Sequence, residues 1–381
     1  MAIKAKTNNK IFWKFINSKT KIRDAIPELF TTSDENTKKM TNDDRKKADI
    51  LAEYFSGVYT REPDWTWDLQ NEDKHHIHVD MNIELTKDIV MKKLTSLNTN
   101  KSPGPDALHP RVFKEIAPAL TDPLFHIYQV SMKTGKIPKE WKIALVSAIY
   151  KRKGDKHNPV NYRPISLTSI VCKILESIIR DSLMKYLKAN GILSDRQFGF
   201  LAGRSTTLQL LRVVDEWTEI IDNSGVIDAI YYDFQKAFDT VPHNRLLEVL
   251  EFYGIKGSLL TWSCNFLTNR LQQVSVNGTK SETFEVLSDV PQGSVIGPVL
   301  FIIYINIMVA KSGNADIYIF ADDLKFYKAI KPSDQSYSLQ SELDRLYDWF
   351  QYSLLKFHHE KCVVIRFGSG KKHMETKPFC N

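Results

Sequence analysis

The chain has 381 residues, 43% of them hydrophobic and 25% charged, with 52 Lys and Arg against 45 Asp and Glu for a formal charge of +7. That balance is that of a soluble globular protein, for which disorder is not the default; it allows one large core or two ordinary ones, and favours an acidic partner, nucleic acid first, because the basic residues are interleaved with aromatics. Cys172, Cys264, Cys362 and Cys380 form no CxxC pair, which argues against a disulfide framework or zinc knuckle and fits a reducing, intracellular compartment.

The first hundred residues are polar, with helical patches at "KIFWKFI" and "DRKKADILAEYF", and read as an N-terminal extension over residues 1–98. The "HHIH" at His75 to His78 has no acidic or cysteine ligands at a metal-site spacing and reads as a solvated loop. From Thr86 the stripe Ile89, Val90, Leu94 and Leu97 predicts a helix, which the proline-rich "NKSPGPDALHP" breaks. "ALVSAIY" predicts a strand, followed by a basic loop in which Lys151, Arg152, Lys153, Lys156 and Arg163 surround Gly154. Such a cluster suits a triphosphate or a nucleic-acid backbone, or is simply a solvated charge run.

Ile170, Ile174 and Ile178, beside Val171, Leu175 and Ile179, predict a buried helix stopping near Gly191. "GVIDAIYYDF" has the β-branched and aromatic content of a central strand, and "NRLLEVLEFYG" predicts a helix closing at Gly254. The apolar run Val299 to Ala310 has 12 residues, too short for a bilayer, and predicts a buried helix; the N-terminus lacks the apolar core of a secretory signal, and no membrane association is expected. Strands and helices alternate irregularly, which predicts an α+β fold.

Asp322 and Asp323 are adjacent at the end of the alternating run Ile317 to Phe320. Alone, the pair reads as a solvated turn. A third carboxylate, Asp233, ends the strand from Val226 to Tyr232 in the same way. If the two strands are neighbours, three carboxylates meet at one sheet edge, the oxygen-rich, anionic set that hard divalent cations require.

In chain order, over roughly residues 99 to 367, "KSPGPDAL", "NYRPISL", "RQFGFLAGRSTTLQLL", "DFQKAFDTV", "VPQGSVIGPVLF", "FADD" and "LLKFHHEKCVVIRF" resemble the successive motifs of the reverse transcriptases of non-LTR (LINE-type) retrotransposons, near the jockey and CR1 groups. The resemblance implies a right-hand polymerase fold with fingers and palm over residues 99–381, truncated after the last motif with a thumb short or missing. It implies RNA-directed DNA polymerase activity: a DNA primer extended with dNTPs on an RNA template, using two Mg²⁺ ions, with Mn²⁺ as a substitute. Asp233, Asp322 and Asp323 match the catalytic carboxylates, and the backbone carbonyl of Phe234 joins them in holding metal. Lys361 matches a general acid for the leaving pyrophosphate. Lys151 and Arg163 match triphosphate-gripping positions, Phe238 an aromatic gate against the ribose 2′-hydroxyl, and Gln292 and Gly293 the floor beneath the nascent base pair. The family implies the nucleus, with the cytoplasm as the alternative. Leu201, Ile307 and His358 depart from the usual motif residues, and an inert nucleic-acid-binding remnant is the alternative reading.

Overall fold

The computed structural model describes residues 26–31, 39–63, 79, 81–310, 316–330 and 338–368. "KIFWKFI", "HHIH" and Cys380 lie outside them. The chain divides into two units, Met1–Tyr54 with Ser147–Pro164 and Val274–Glu282, and Phe55–Val146 with Ile165–Gln273 and Thr283–Asn381.

In the first unit, β1 (Leu29–Phe30) pairs antiparallel with β2 (Met40–Thr41). Helix α1 (Asp44–Ser56) follows, started by the Asp43 side chain, which accepts from the Lys46 N–H at 2.8 Å. Ala48, Leu51 and Ala52 form its buried face, and Leu29 of β1 is buried as well.

The second unit begins its regular structure with α2 (Lys87–Thr95), capped by the Thr86 hydroxyl and burying Val90 and Leu94 of the predicted stripe. Proline breaks the chain before α3 (Pro110–Glu115) and α4 (Ala117–Thr134), which ends on Gly135 at φ +69°. Strands β3 (Ile143–Tyr150) and β4 (Tyr162–Leu167) are neighbours, and the basic loop joins them; the loop, with Ser147–Tyr150 of β3 and Tyr162–Pro164 of β4, is counted in the first unit. Helix α5 (Ile170–Ala189) buries Ile174, Leu175, Ile178, Ile179, Leu183 and Tyr186, two residues per turn, and Gly191 follows it at φ +61°. Helix α6 (Thr206–Asp222) is capped by Ser205 and buries Val213 and Trp217.

After β5 (Val226–Asp233) come α7 (His243–Phe252) and α8 (Gly257–Leu267), then β6 (Arg270–Val276), β7 (Thr279–Lys280) and β8 (Phe284–Val286), of which β7 and the last residues of β6 are counted in the first unit. Helix α9 (Gly297–Ala310) is apolar on every side, and Leu300 through Ile305 are buried. Its one interior polar residue, Asn306, is satisfied by the Ile192 carbonyl, the Tyr253 hydroxyl and the Ser194 N–H, each at 2.9 Å. No helix among the described residues is long and apolar enough to cross a membrane.

Strands β9 (Asp316–Phe320), β10 (Asp323–Ile330) and β11 (Val363–Phe367), with α10 (Ser338–Ser353) before the last, complete the unit. The sheet that matters for function has the order β11-β5-β10-β9, all antiparallel. One face packs on the main core with α9, through Ile230, Tyr232, Ile317, Ile319, Leu324 and Phe326. The other is covered by Val213 and Trp217 of α6, against Ile227, Ala229, Tyr318 and Tyr327. Cover on both faces explains why the central strands β5, β9 and β10 read as largely apolar runs.

Candidate active site

Strands β5 and β10 lie side by side with Asp233 directly opposite Asp323, so the two predicted strand ends share one edge of one sheet. Strand β9 stops at Phe320 and pairs with Asp323 across a turn made of Ala321 and Asp322, with Ala321 in the left-handed region at φ +57°. Asp322 therefore sits in the turn itself, and Asp323 begins the next strand. Partial desolvation, then repulsion from Asp322 and Asp233, raises the Asp323 carboxyl above the usual carboxylate range.

The segment after α10 closes this edge. The His358 N–H donates to the Asp233 carbonyl at 2.8 Å, the Gln235 N–H to the Lys356 carbonyl at 2.7 Å, and Phe234 stacks on Phe357 at 5.0 Å. Strand β11 is bolted to β5 by Arg366, whose guanidinium takes both oxygens of the buried Asp228 at 2.6 and 2.7 Å. Between these anchors the Lys361 ammonium lies 2.8 Å from a carboxylate oxygen of Asp233.

The turn after β5 is tied to the segment before α9. The Val290 N–H donates to the Phe238 carbonyl at 2.9 Å, the Asp289 N–H to the Val241 carbonyl at 3.1 Å, and the Gln292 amide to Asp239 at 2.8 Å. Phe238 stacks on Phe301 of α9 with ring centres 4.4 Å apart and meets Phe200 edge-on. Gly293 has φ +123°, and a Cβ there would fall 2.3 Å from the Ser166 carbonyl oxygen, so only glycine fits. The fully buried Glu176 accepts from the Val295 and Ile296 N–H groups at 2.6 and 3.2 Å, capping the entry to α9. Of the predicted residues, Asp233, Asp322, Asp323 and Lys361 thus form one group, while Phe238 is linked to the Gln292–Gly293 loop. Phe234 is buried beside Asp233. Lys151 and Arg163 belong to the other unit, where the Lys151 ammonium donates to the Val160 carbonyl at 2.8 Å and Arg163 is exposed.

Residues 151–377 match the family model described as reverse transcriptase (RNA-dependent DNA polymerase). The chain belongs to the reverse transcriptase family. With this membership, the α+β fold is the right-hand polymerase fold that the motifs implied, and the β11-β5-β10-β9 sheet carries the palm motifs. Among its relatives, the "RNA-directed DNA polymerase from mobile element jockey" of Drosophila melanogaster is 30% identical over 75% of this chain and 32% of its own length. The "Probable RNA-directed DNA polymerase from transposon BS" of the same species is 29% identical over 72% of this chain and 31% of its own length. This reverse transcriptase chain therefore spans about a third of the curated relatives it matches. The solved structure "apo telomerase from Candida Tropicalis truncated from C-terminal domain" is similar with a TM-score of 0.45 and 15% identity, over 70% of this chain and 57% of that one.

The reverse transcriptase site contains residues that sequence reasoning missed. Asp239 and Glu176 act as acceptors holding the Gln292 loop and α9, and both were hidden because buried polar residues leave no mark in apolar periodicity. Among the described residues no group of three or more His, Cys, Asp or Glu side chains is already gathered as metal ligands. The donor chemistry nonetheless fits a hard divalent cation: three adjoining carboxylates, one raised in pKa by burial and then by its acidic neighbours, and a lysine ammonium already paired with another.

Proposed function

We propose that this chain is the RNA-directed DNA polymerase of a non-LTR retrotransposon, extending a DNA primer with dNTPs on an RNA template, with the nucleus as its place of work. The polymerase portion would run over residues 99–381 behind an extension of residues 1–98. One observation carries the reading: Asp233 stands opposite Asp323 on adjacent strands with Asp322 in the intervening turn, in a chain of this family.

Asp233 and Asp322 would hold two Mg²⁺ ions, or Mn²⁺ in their place, with Asp323 and the Phe234 carbonyl in support. When bound, the cations supply charge for activating the primer 3′-hydroxyl and neutralising the departing pyrophosphate. Lys361, within reach of Asp233, would give its proton to that pyrophosphate. Phe238, held between Phe301 and Phe200, would exclude a 2′-hydroxyl, and Gln292 and Gly293 would support the nascent base pair from a loop fixed by Asp239 and Ser166. Lys151 and Arg163 are assigned to the triphosphate by motif match.

The inert-remnant reading draws on the departures at Leu201, Ile307 and His358. Two of them have a plain structural setting. Ile307 packs in the core, and His358 contributes its backbone N–H, which any residue except proline would supply. Incorporation of dNTPs with Mg²⁺ or Mn²⁺ on a primed RNA template distinguishes the readings. The polymerase extends the primer; the remnant binds it, with an affinity that falls as salt rises, and adds nothing.

A further inference from the structure

We propose that Gln197 is a positioning residue that sets the geometry of the Asp322–Asp323 turn; the proposal rests on the polymerase reading. Gln197 lies in "RQFG", far in sequence from the carboxylates and on no regular element. Yet it forms a parallel bridge with Ile319 along the free edge of β9, where the Phe198 N–H donates to the Ile319 carbonyl at 2.8 Å and the Ile319 N–H to the Arg196 carbonyl at 3.0 Å. This short segment runs beside β9 to the point where the turn begins.

There the Gln197 side chain is 2% exposed, and its Oε1 accepts two hydrogen bonds, from the Ala321 N–H at 3.2 Å and the Gly199 N–H at 2.7 Å. Two donors converging on one atom fix which end of the amide is oxygen. The Nε2 end is buried and makes no hydrogen bond. A buried amide nitrogen left unbonded is costly, so an apolar side chain would fill this space more cheaply; what the glutamine contributes is the acceptor. Ala321 needs it, because a non-glycine residue at φ +57° is strained and its N–H would otherwise be buried without a partner. Gly199 completes the cradle: a Cβ there would lie 2.2 Å from the Ala321 nitrogen, so backbone abuts backbone at the residue before Asp322. Arg204, donating to the Gln197 carbonyl at 2.9 Å, fastens the segment from behind.

The test compares wild type with Gln197→Met, which keeps shape without the acceptor, and Gln197→Glu, which presents an oxygen to both amides whether ionised or protonated. Single-turnover extension of oligo(dT) on poly(rA), the KM for dTTP, Mn²⁺ binding by electron paramagnetic resonance and thermal unfolding are measured on each. The Met variant should fold and bind dTTP within about threefold of wild type, extend about 30-fold more slowly, and hold Mn²⁺ about tenfold more weakly, with Glu restoring both to within about fivefold. A Met variant with wild-type rate and Mn²⁺ affinity overturns the proposal, as does a loss that follows thermal instability and is not restored by Glu. If wild type binds Mn²⁺ but extends nothing, the polymerase reading falls and the Mn²⁺ comparison alone decides Gln197. If wild type binds no Mn²⁺, both fall.

Discussion

Lys361 holds its ammonium 2.8 Å from the Asp233 carboxylate, so a basic group already rests on one of the three acids assigned to metal. Both side chains are partly open to solvent, and the contact is one that an arriving divalent cation can replace. Replacing Lys361 with Ala removes both a competitor for Asp233 and the proposed proton donor. Mn²⁺ should bind at least as tightly as in wild type while single-turnover extension slows about 100-fold. Unchanged extension by the Ala variant would remove Lys361 from the chemistry.

The carboxylates themselves should trade stability for function. Burial and mutual repulsion raise the Asp323 carboxyl, so the cluster is held against its own charge when no cation is bound. Asp233→Asn and Asp322→Asn should each reduce extension by about 1000-fold or more. Asp323→Asn should leave the metal-free melting temperature equal or higher, read by calorimetry in chelator; a clear fall would mean that the cluster is not under electrostatic strain.

Phe238 is fixed by Phe301, 4.4 Å away, and by Phe200, which leaves its ring little freedom to yield to a bulkier sugar. Phe238→Val should relax discrimination against ribonucleotides by about 10- to 100-fold, measured as the ratio of kcat/KM for dTTP and UTP. An unchanged ratio would make Phe238 an ordinary packing residue.

Much of this was legible in the sequence, for reasons that particular residues make plain. Strands β5 and β10 are marked by β-branched and aromatic runs, and the helix stops at Gly191 and Gly254 are real because both glycines take positive φ, +61° and +79°. The meeting of Asp233 with the doublet was conditional on two strands being neighbours, and long-range pairing, not local pattern, decided it. What sequence could not carry was the polar interior. Glu176, Gln197 and Asp239 are all buried, and each works through a backbone or amide donor distant in the chain. Their roles depend on tertiary approach and follow no period.

Behind the Gln292 loop, two buried groups should give stability opposite pH dependences. Burial lowers His243 from 6.5 to about 4, so its contribution is complete above pH 6.5 and is lost as pH falls towards 4. Burial, then the nearby Asp239 charge against the opposing pull of Arg270, raises Asp289 from 3.8 to about 8; its contribution is complete below pH 3.8 and is lost as pH rises through 8. Urea unfolding across pH 4 to 9 should show Asp289→Asn gaining on wild type towards the alkaline end. His243→Gln should lose less than wild type on acidification, by up to about 3 kcal/mol. Parallel curves for wild type and both variants would contradict these assignments.

If the three aspartates at one sheet edge hold metal for nucleotide addition, removing the charge of one of them abolishes extension. Primer extension on poly(rA) with oligo(dT), with wild type beside Asp322→Asn and with Mg²⁺ or Mn²⁺ supplied, tests it most directly. Extension by wild type that disappears in the variant is the predicted result. Primer–template binding by both with extension by neither, or equal extension by both, would contradict it.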